Sequence, residues 1–312
     1  MKTEILSVAP LYQPCMDRLE GEFTVHKLWQ ASDRDAMLAD VEPRVRGMQA
    51  GGASIVPGSL IDSLPKLEII SVFGVGYDGI DVATAKARGI TVTNTPDVLN
   101  DCVADLAMGL TLAAARRLSE GDRYVRAGKW LKAPMPLATR VSGKRLGIVG
   151  FGRIGQTIAK RASGFDMQIA YHSRRPVAGS PFRHYPSLVE LAKNSDFLVV
   201  ITPGGKETFH LINEEVMRAL GPKGILVNVA RGSVVDEKAL VKVLQEGALG
   251  GAGLDVFEEE PKVPEALFAM DNVVLAPHVG SATHETRTAM GNLCVDNLVL
   301  HFGGKPVLTR VV

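Results

Sequence analysis

Residues 146–155 read Leu146-Gly147-Ile148-Val149-Gly150-Phe151-Gly152-Arg153-Ile154-Gly155. A short apolar run ends in G-x-G-x-x-G, a helical pattern follows from Ile154 to Ser163, and Gly164 stops it. A second apolar run, Met167-Gln168-Ile169-Ala170-Tyr171, completes a strand–helix–strand unit within about 30 residues. Each glycine has its own task there. Gly150 permits the tight turn, Gly152 lets backbone approach a pyrophosphate, and Gly155 lets the helix pack close on the sheet. A diphosphate at the amides of Gly152, Arg153 and Ile154 lies on a helix N-terminus, where N–H groups and the helix dipole favour negative charge. The stretch predicts a dinucleotide site on a parallel α/β sheet.

Outward from this unit, short apolar runs at 3–8, 23–28, 53–56, 68–73, 91–93, 197–201, 225–229, 251–254 and 273–276 alternate with longer helical patterns. That alternation predicts an α/β protein of doubly wound parallel sheets. Strands covered by helices on both faces read as continuous apolar runs. A length of 312 residues fits two domains of roughly 100–200 residues each. A long helix is expected from Asp101 to Ser119, capped by Asn100, with irregular, Pro-containing chain from Glu120 to Ser142. That chain carries Trp130, Met135, Pro136 and Leu137, an apolar group with no periodic element to pack into. It is either a loop folded onto its own domain or an arm reaching a second subunit, and the cluster favours the arm. The last helix, 282–302, has no strand after it and is expected to return beside the first 97 residues. The expected division is therefore 1–97 with 287–312, and 98–286.

Composition closes off several classes. There are 35 basic and 34 acidic side chains, and 46% of residues are hydrophobic. A net charge of +1 makes no electrostatic case for nucleic acid or an anionic membrane. The longest apolar run, Leu106 to Ala115, is about half of the roughly 20 residues that span a bilayer. No signal-peptide pattern opens the chain. Three dispersed cysteines, with no C-x-x-C, fit a reducing cytoplasm and no disulfide framework. No metal site is expected: His284-Glu285 begins H-E-x-x-H, but Thr288 stands where the second His belongs. Gly128-Lys129 and Gly143-Lys144 fail as phosphate loops, because Trp130 and Arg145 follow.

A second G-x-G-x-x-G, Gly74-Val75-Gly76-Tyr77-Asp78-Gly79, leads into a short helix that ends by Arg88-Gly89. Tyr77 and Asp78 add bulk and negative charge, so a dinucleotide fits poorly. Its backbone N–H groups suit a small anion such as a carboxylate. At the dinucleotide unit, an NAD site wants an acid about 20 residues on, for the ribose 2′-hydroxyl. The run there is Tyr171-His172-Ser173-Arg174-Arg175 and contains none. A hydroxyl and two guanidiniums suit a 2′-phosphate, which predicts NADP(H).

Such a cofactor needs a substrate grip and a proton donor beside it. Arg231 follows Leu226-Val227-Asn228-Val229-Ala230, Glu260 ends Phe257-Glu258-Glu259-Glu260, and His278 follows Val273-Val274-Leu275-Ala276-Pro277. Strands deliver Arg231 and His278 to the carboxyl edge of the sheet, where open α/β sheets bind ligands. Among seven histidines only His278 has that setting, with Gly280 and Ser281 leaving space beside it.

From about Ser71 to Thr283 the chain resembles the D-isomer-specific 2-hydroxyacid dehydrogenases. The resemblance rests on the Gly150/Gly152/Gly155 fingerprint, Asn228-Val229-Ala230-Arg231-Gly232-Ser233-Val234-Val235-Asp236-Glu237, Gly253-Leu254-Asp255-Val256-Phe257 with Glu260-Pro261, and Pro277-His278-Val279-Gly280-Ser281-Ala282-Thr283. Ser173-Arg174 resembles the NADPH-dependent glyoxylate/hydroxypyruvate reductase branch and its hydroxyphenylpyruvate-reducing relatives. The resemblance implies a Rossmann-type cofactor domain and a flavodoxin-like substrate domain with a cleft between them. It implies an oxidoreductase that transfers hydride from NADPH to a small 2-keto acid, giving the D-2-hydroxy acid. Arg231 would bind the substrate carboxylate and carbonyl oxygen, His278 would donate the proton, and Glu260 would support the imidazolium. The amides of Val75 and Gly76 would hold the carboxylate. Thr202, Pro203, Val229, Ala230 and Gly280 would line nicotinamide and ribose, with Asp255 behind them or on the cofactor side. A homodimer built on the helix and arm of 101–142 is also implied.

Competing readings are an aryl 2-keto acid reductase and a non-catalytic dinucleotide sensor that keeps the same three residues. A formate dehydrogenase resembles this pattern with Gln in place of Glu260, and a phosphoglycerate dehydrogenase often carries further C-terminal domains.

Overall fold

A computed structural model describes residues 2–312. The chain forms two units: residues up to Leu99 together with Thr283–Val312, and Asn100–Ala282. The first is built on strands β1 (Glu4–Ser7), β2 (Thr24–Lys27), β3 (Val45–Gly51), β4 (Ile69–Phe73) and β5 (Thr91–Thr93). They lie in the order β2-β1-β3-β4-β5, parallel throughout. The central strand β3 corrects the sequence expectation, which placed a strand at 53–56; Val56 makes only an isolated bridge to Ile80. Val45-Arg46-Gly47-Met48-Gln49 does not read as an apolar run, yet the side-chain oxygen of its buried Gln49 is matched inside the fold. Gln49 is fully buried and accepts from Ser7 Oγ at 2.7 Å. Gly47 is small because a Cβ there would meet Ile5 Cδ1 at 2.5 Å. The C-terminal helix His284–Phe302 packs on β4 and on the helix Gln13–Glu22, burying Met290, Cys294, Val295 and Leu298. Thr283 caps it by accepting from the Thr286 amide at 3.2 Å.

The second unit holds β6 (Arg145–Val149), β7 (Gln168–His172), β8 (Arg183–His184), β9 (Phe197–Val200), β10 (Ile225–Asn228), β11 (Gly251–Leu254) and β12 (Val273–Leu275). Their order is β12-β11-β10-β9-β6-β7-β8, again parallel. The two-residue edge strand β8 is too short to be seen in the sequence. The order reverses where β6 meets β9, so a ligand crevice opens outside the carboxyl ends of those strands. Val199, Val200, Leu226 and Val227 are fully buried, as strands covered on both faces must be.

The helix Asn100–Ala115 packs against β10, β11 and the helix Arg153–Ser163 through Val103, Ala104, Ala107 and Leu110. It stops earlier than expected, because Arg117 adopts φ 54° in the left-handed region. A second helix, Leu118–Arg126, then occupies part of the segment read as irregular, and none of its residues is buried. Beyond it Trp130 is 68%, Leu131 93% and Leu137 98% exposed. Among the described residues no helix is long and apolar enough to cross a membrane.

Candidate active site

At the β6 turn Gly150 and Gly155 each answer a measurable constraint. Gly150 sits at φ 94°, and a Cβ there would lie 2.7 Å from the Ile201 carbonyl oxygen. A Cβ on Gly155 would overlap the Gly150 carbonyl. Gly152 is exposed, with open space where its Cβ would be, so a ligand can approach its backbone. It opens the helix Arg153–Ser163 with no side-chain cap on the helix N–H groups. Thr202, just past β9, has a buried Oγ1 with no hydrogen-bond partner. A polar atom left so costs free energy until something pairs with it. An uncapped helix N-terminus, an approachable glycine and an orphaned hydroxyl along one sheet edge fit a nicotinamide dinucleotide.

Past β7, Phe151, Gly152, Ser173, Arg174, Arg175 and Val177 line an open groove of about 530 Å³. Its floor is rigid: Phe151 stacks on buried Tyr171 with centroids 4.0 Å apart. The Tyr171 hydroxyl accepts from the Val177 amide at 2.9 Å, and Ser173 Oγ donates to the Arg175 carbonyl at 2.7 Å. Arg174 pairs with Glu207 at 2.9 Å, a partner that linear reading could not see because 33 residues separate the two. The pair is 88% and 78% exposed. Such a solvated pair is weakly held and yields readily to a phosphate.

The reactive groups lie beyond β10, β11 and β12. His278 Nδ1 is 2.7 Å from Glu260 Oε2, and Glu260 Oε1 accepts from the Phe257 amide at 3.0 Å. Burial pushes the Glu260 carboxyl up, but the bonds from His278 and Phe257 and the charges of His278 and Arg231 outweigh it. The carboxyl is held below its usual range. An ionised carboxylate can only accept, so the facing Nδ1 carries a proton and Nε2 is left for a ligand.

His278 is held in the left-handed region at φ 52°. The cause is Asp255, which is 2% exposed and accepts from the amides of Val279 at 2.7 Å and Gly280 at 2.8 Å. Its carbonyl also takes the His278 amide at 2.8 Å. Burial raises the Asp255 carboxyl, and the two amides pull it partly back. Both its oxygens are thus engaged in holding the turn that presents His278. A Cβ on Gly280 would come within 3.0 Å of Asp255 Oδ2, so glycine there suits the close approach.

Arg231 follows β10 half-buried, its Nη1 donating to the Ala230 carbonyl at 2.8 Å. Asn228, to which the sequence reading gave no role, shapes this turn. Its Oδ1 accepts from the Ala230 amide at 3.1 Å and its Nδ2 donates to the Arg231 carbonyl at 3.0 Å. Val229 and Ala230 are buried in the unit's core, and Pro203 is exposed. An Asn ending an apolar strand before Ala-Arg-Gly was the available signal.

In the other unit, Gly74 and Gly79 press against neighbouring main chain. A Cβ on Gly74 would lie 2.8 Å from Gly52 Cα, and one on Gly79 would overlap the Ser54 carbonyl. Val75 and Gly76 sit between them, half-buried, with the Val75 carbonyl accepting from Asn94 Nδ2 at 2.9 Å.

Comparison with known proteins points to one family. Residues 108–280 match the model of the D-isomer specific 2-hydroxyacid dehydrogenase NAD binding domain. The chain is 49% identical over 308 residues to a glyoxylate/hydroxypyruvate reductase of Arabidopsis thaliana, covering 99% of this chain and 98% of the relative. It is 51% identical over 309 residues to the hydroxyphenylpyruvate reductase of Plectranthus scutellarioides, with the same two coverages. A solved NADPH-dependent glyoxylate/hydroxypyruvate reductase from Sinorhizobium meliloti, in complex with NADP and malonate, superposes with TM-score 0.92 at 44% identity. That match covers 100% of this chain and 97% of the other.

Proposed function

The chain belongs to the D-isomer-specific 2-hydroxyacid dehydrogenases, and on that footing we propose that it reduces small 2-keto acids to D-2-hydroxy acids with NADPH. Glyoxylate and hydroxypyruvate are the leading substrates. The observation that carries this reading is the 2.7 Å bond between His278 Nδ1 and Glu260 Oε2 at the edge of a dinucleotide-binding sheet.

Bound NADPH supplies the hydride. The amides of Gly152, Arg153 and Ile154 hold its diphosphate, and Ser173, Arg174 and Arg175 take the 2′-phosphate, where Arg can form paired charge-assisted bonds. Thr202, Pro203, Val229, Ala230 and Gly280 line the ribose and nicotinamide. Arg231 binds the substrate's carboxylate and polarises its carbonyl; in the other unit, the Val75 and Gly76 amides are donors suited to a carboxylate. As negative charge grows on the carbonyl oxygen, Arg231 and protonated His278 stabilise it, and His278 Nε2 delivers a proton. Glu260 keeps the other nitrogen protonated and offsets the imidazolium charge. Asp255 acts one step back, fixing the backbone from which His278 projects.

A second reading, a wider 2-keto acid substrate, is supported by the 51% identity to a hydroxyphenylpyruvate reductase. Initial rates of NADPH and NADH oxidation with glyoxylate, hydroxypyruvate and 4-hydroxyphenylpyruvate separate the two and measure the acceptor pocket. Turnover with none of them would reject the reductase reading. The active form is a homodimer whose contact uses the helix Leu118–Arg126 and the arm bearing Trp130, Leu131 and Leu137. Light scattering of the wild type against Leu131→Glu/Leu137→Glu reports this directly.

A further inference from the structure

We propose that His210 is a positioning residue for the reaction: it ties together the two loops that carry Arg231 and Glu260. His210 lies on neither loop. It sits in the segment before the helix Glu214–Leu220, yet its main chain and side chain each grip one of them. Its amide donates to the Ser233 carbonyl at 2.9 Å, two residues after Arg231. Its Nε2 donates to Glu258 Oε1 at 2.8 Å, two residues before Glu260.

The surroundings make this a rigid junction. Ile212 pairs with Val235 in a parallel bridge, through bonds of 2.9 Å from the Ile212 amide to the Val234 carbonyl and 3.0 Å from the Asp236 amide to the Ile212 carbonyl. The two loops also touch directly: a Cβ on Gly232 would overlap the backbone of Phe257 and Glu258. The Glu258 amide donates to Glu237 Oε2 at 3.2 Å. His210 itself is held at φ 50°, with Phe209 stacked on its ring at 3.9 Å and Asp236 Oδ2 3.9 Å from its Nδ1. The charged groups facing the imidazole are thus Glu258 and Asp236, with Glu237 one bond further on. An imidazole donating into this acidic junction draws Glu258 toward Ser233 and so fixes where Glu260 leaves the loop. Precise placement matters because displacement of a catalytic group by about 1 Å costs on the order of 100-fold in rate.

The kinetic part of the test rests on the proposed reduction, and the spectroscopic part does not. In full-length protein carrying 15N-histidine, long-range proton–nitrogen correlation reads which nitrogen of neutral His278 bears the proton. In the wild type that is Nδ1, because Glu260 accepts there. In His210→Ala, Glu260 leaves its station, His278 shifts toward the Nε2–H form, and kcat falls about 10- to 100-fold with dinucleotide affinity unchanged. His210→Gln, whose side-chain amide also donates to Glu258, restores the tautomer and most of kcat. Retention of the Nδ1–H form in folded His210→Ala overturns the proposal, and so does a loss that Gln fails to rescue. A wild type without turnover counts against the reductase reading alone, and the tautomer still decides the role of His210.

Discussion

Glu260 reaches His278 across 18 residues of chain, its Oε2 2.7 Å from Nδ1, while its other oxygen is fastened to the Phe257 amide at 3.0 Å. The carboxylate is therefore anchored before it meets the imidazole. That order of support suits the general acid proposed for His278, since the loop geometry and not the substrate decides which nitrogen faces outward. His278→Gln removes the group that can transfer a proton and leaves the β6 turn untouched. Its kcat is expected to fall by about 10² to 10⁴, the usual worth of a positioned acid. NADPH affinity, followed by fluorescence titration, should stay near that of the wild type.

The same pair sets a pH signature. Glu260 is held below its usual range in the folded chain, whereas an unfolded glutamate titrates near about 4.3. A depressed folded value stabilises the fold above the unfolded value, and that contribution is lost as pH falls through the folded one. Glu260→Gln should lower Tm at pH 7, and the gap to the wild type should shrink as pH drops below about 4.3. A gap independent of pH would show that the carboxylate charge is not what binds the loop.

On the proposed reading, cofactor choice lies with Arg174 and Arg175, on a groove lined by Phe151, which stacks on Tyr171. Replacing both with Ala removes charge-assisted bonds worth about 1.5–3 kcal/mol each. NADPH binding should weaken at least about tenfold, with NADH changed far less. Equal losses for both cofactors, measured by titration, would refute the 2′-phosphate role.

Asp255 makes a prediction about the backbone. Asn at this position presents an N–H₂ to one of two buried amides that now meet an oxygen. An unsatisfied buried donor costs about 1–3 kcal/mol, and each kcal/mol lowers Tm by about 2–4 °C in a unit of this size. Asp255→Asn should therefore lose both Tm and kcat, although its side chain makes no bond to the imidazole of His278.

What was readable in the sequence was what is local. Gly150, Gly152 and Gly155 follow one strand at a fixed spacing, and Arg231 and His278 each come just past a strand, so local pattern alone placed them. Glu260 also follows an expected strand, but its role beside His278 comes from resemblance to a family. The strand Val45–Gly51 was missed because the partners that make Gly47 and Gln49 acceptable, Ile5 and Ser7, lie about 40 residues away. The helix Leu118–Arg126 was missed for the opposite reason. None of its residues is buried in its own chain, and Gly121 interrupts its pattern. Asp255 and His210 make hydrogen bonds to main chain or to a distant carboxylate, which no spacing rule encodes.

The most direct test is to mix the enzyme with hydroxypyruvate and NADPH and follow cofactor oxidation together with the chirality of the glycerate formed. The account predicts one D-glycerate per NADPH consumed, with His278→Gln nearly silent under the same conditions. L-glycerate, or NADPH loss without glycerate, would contradict it.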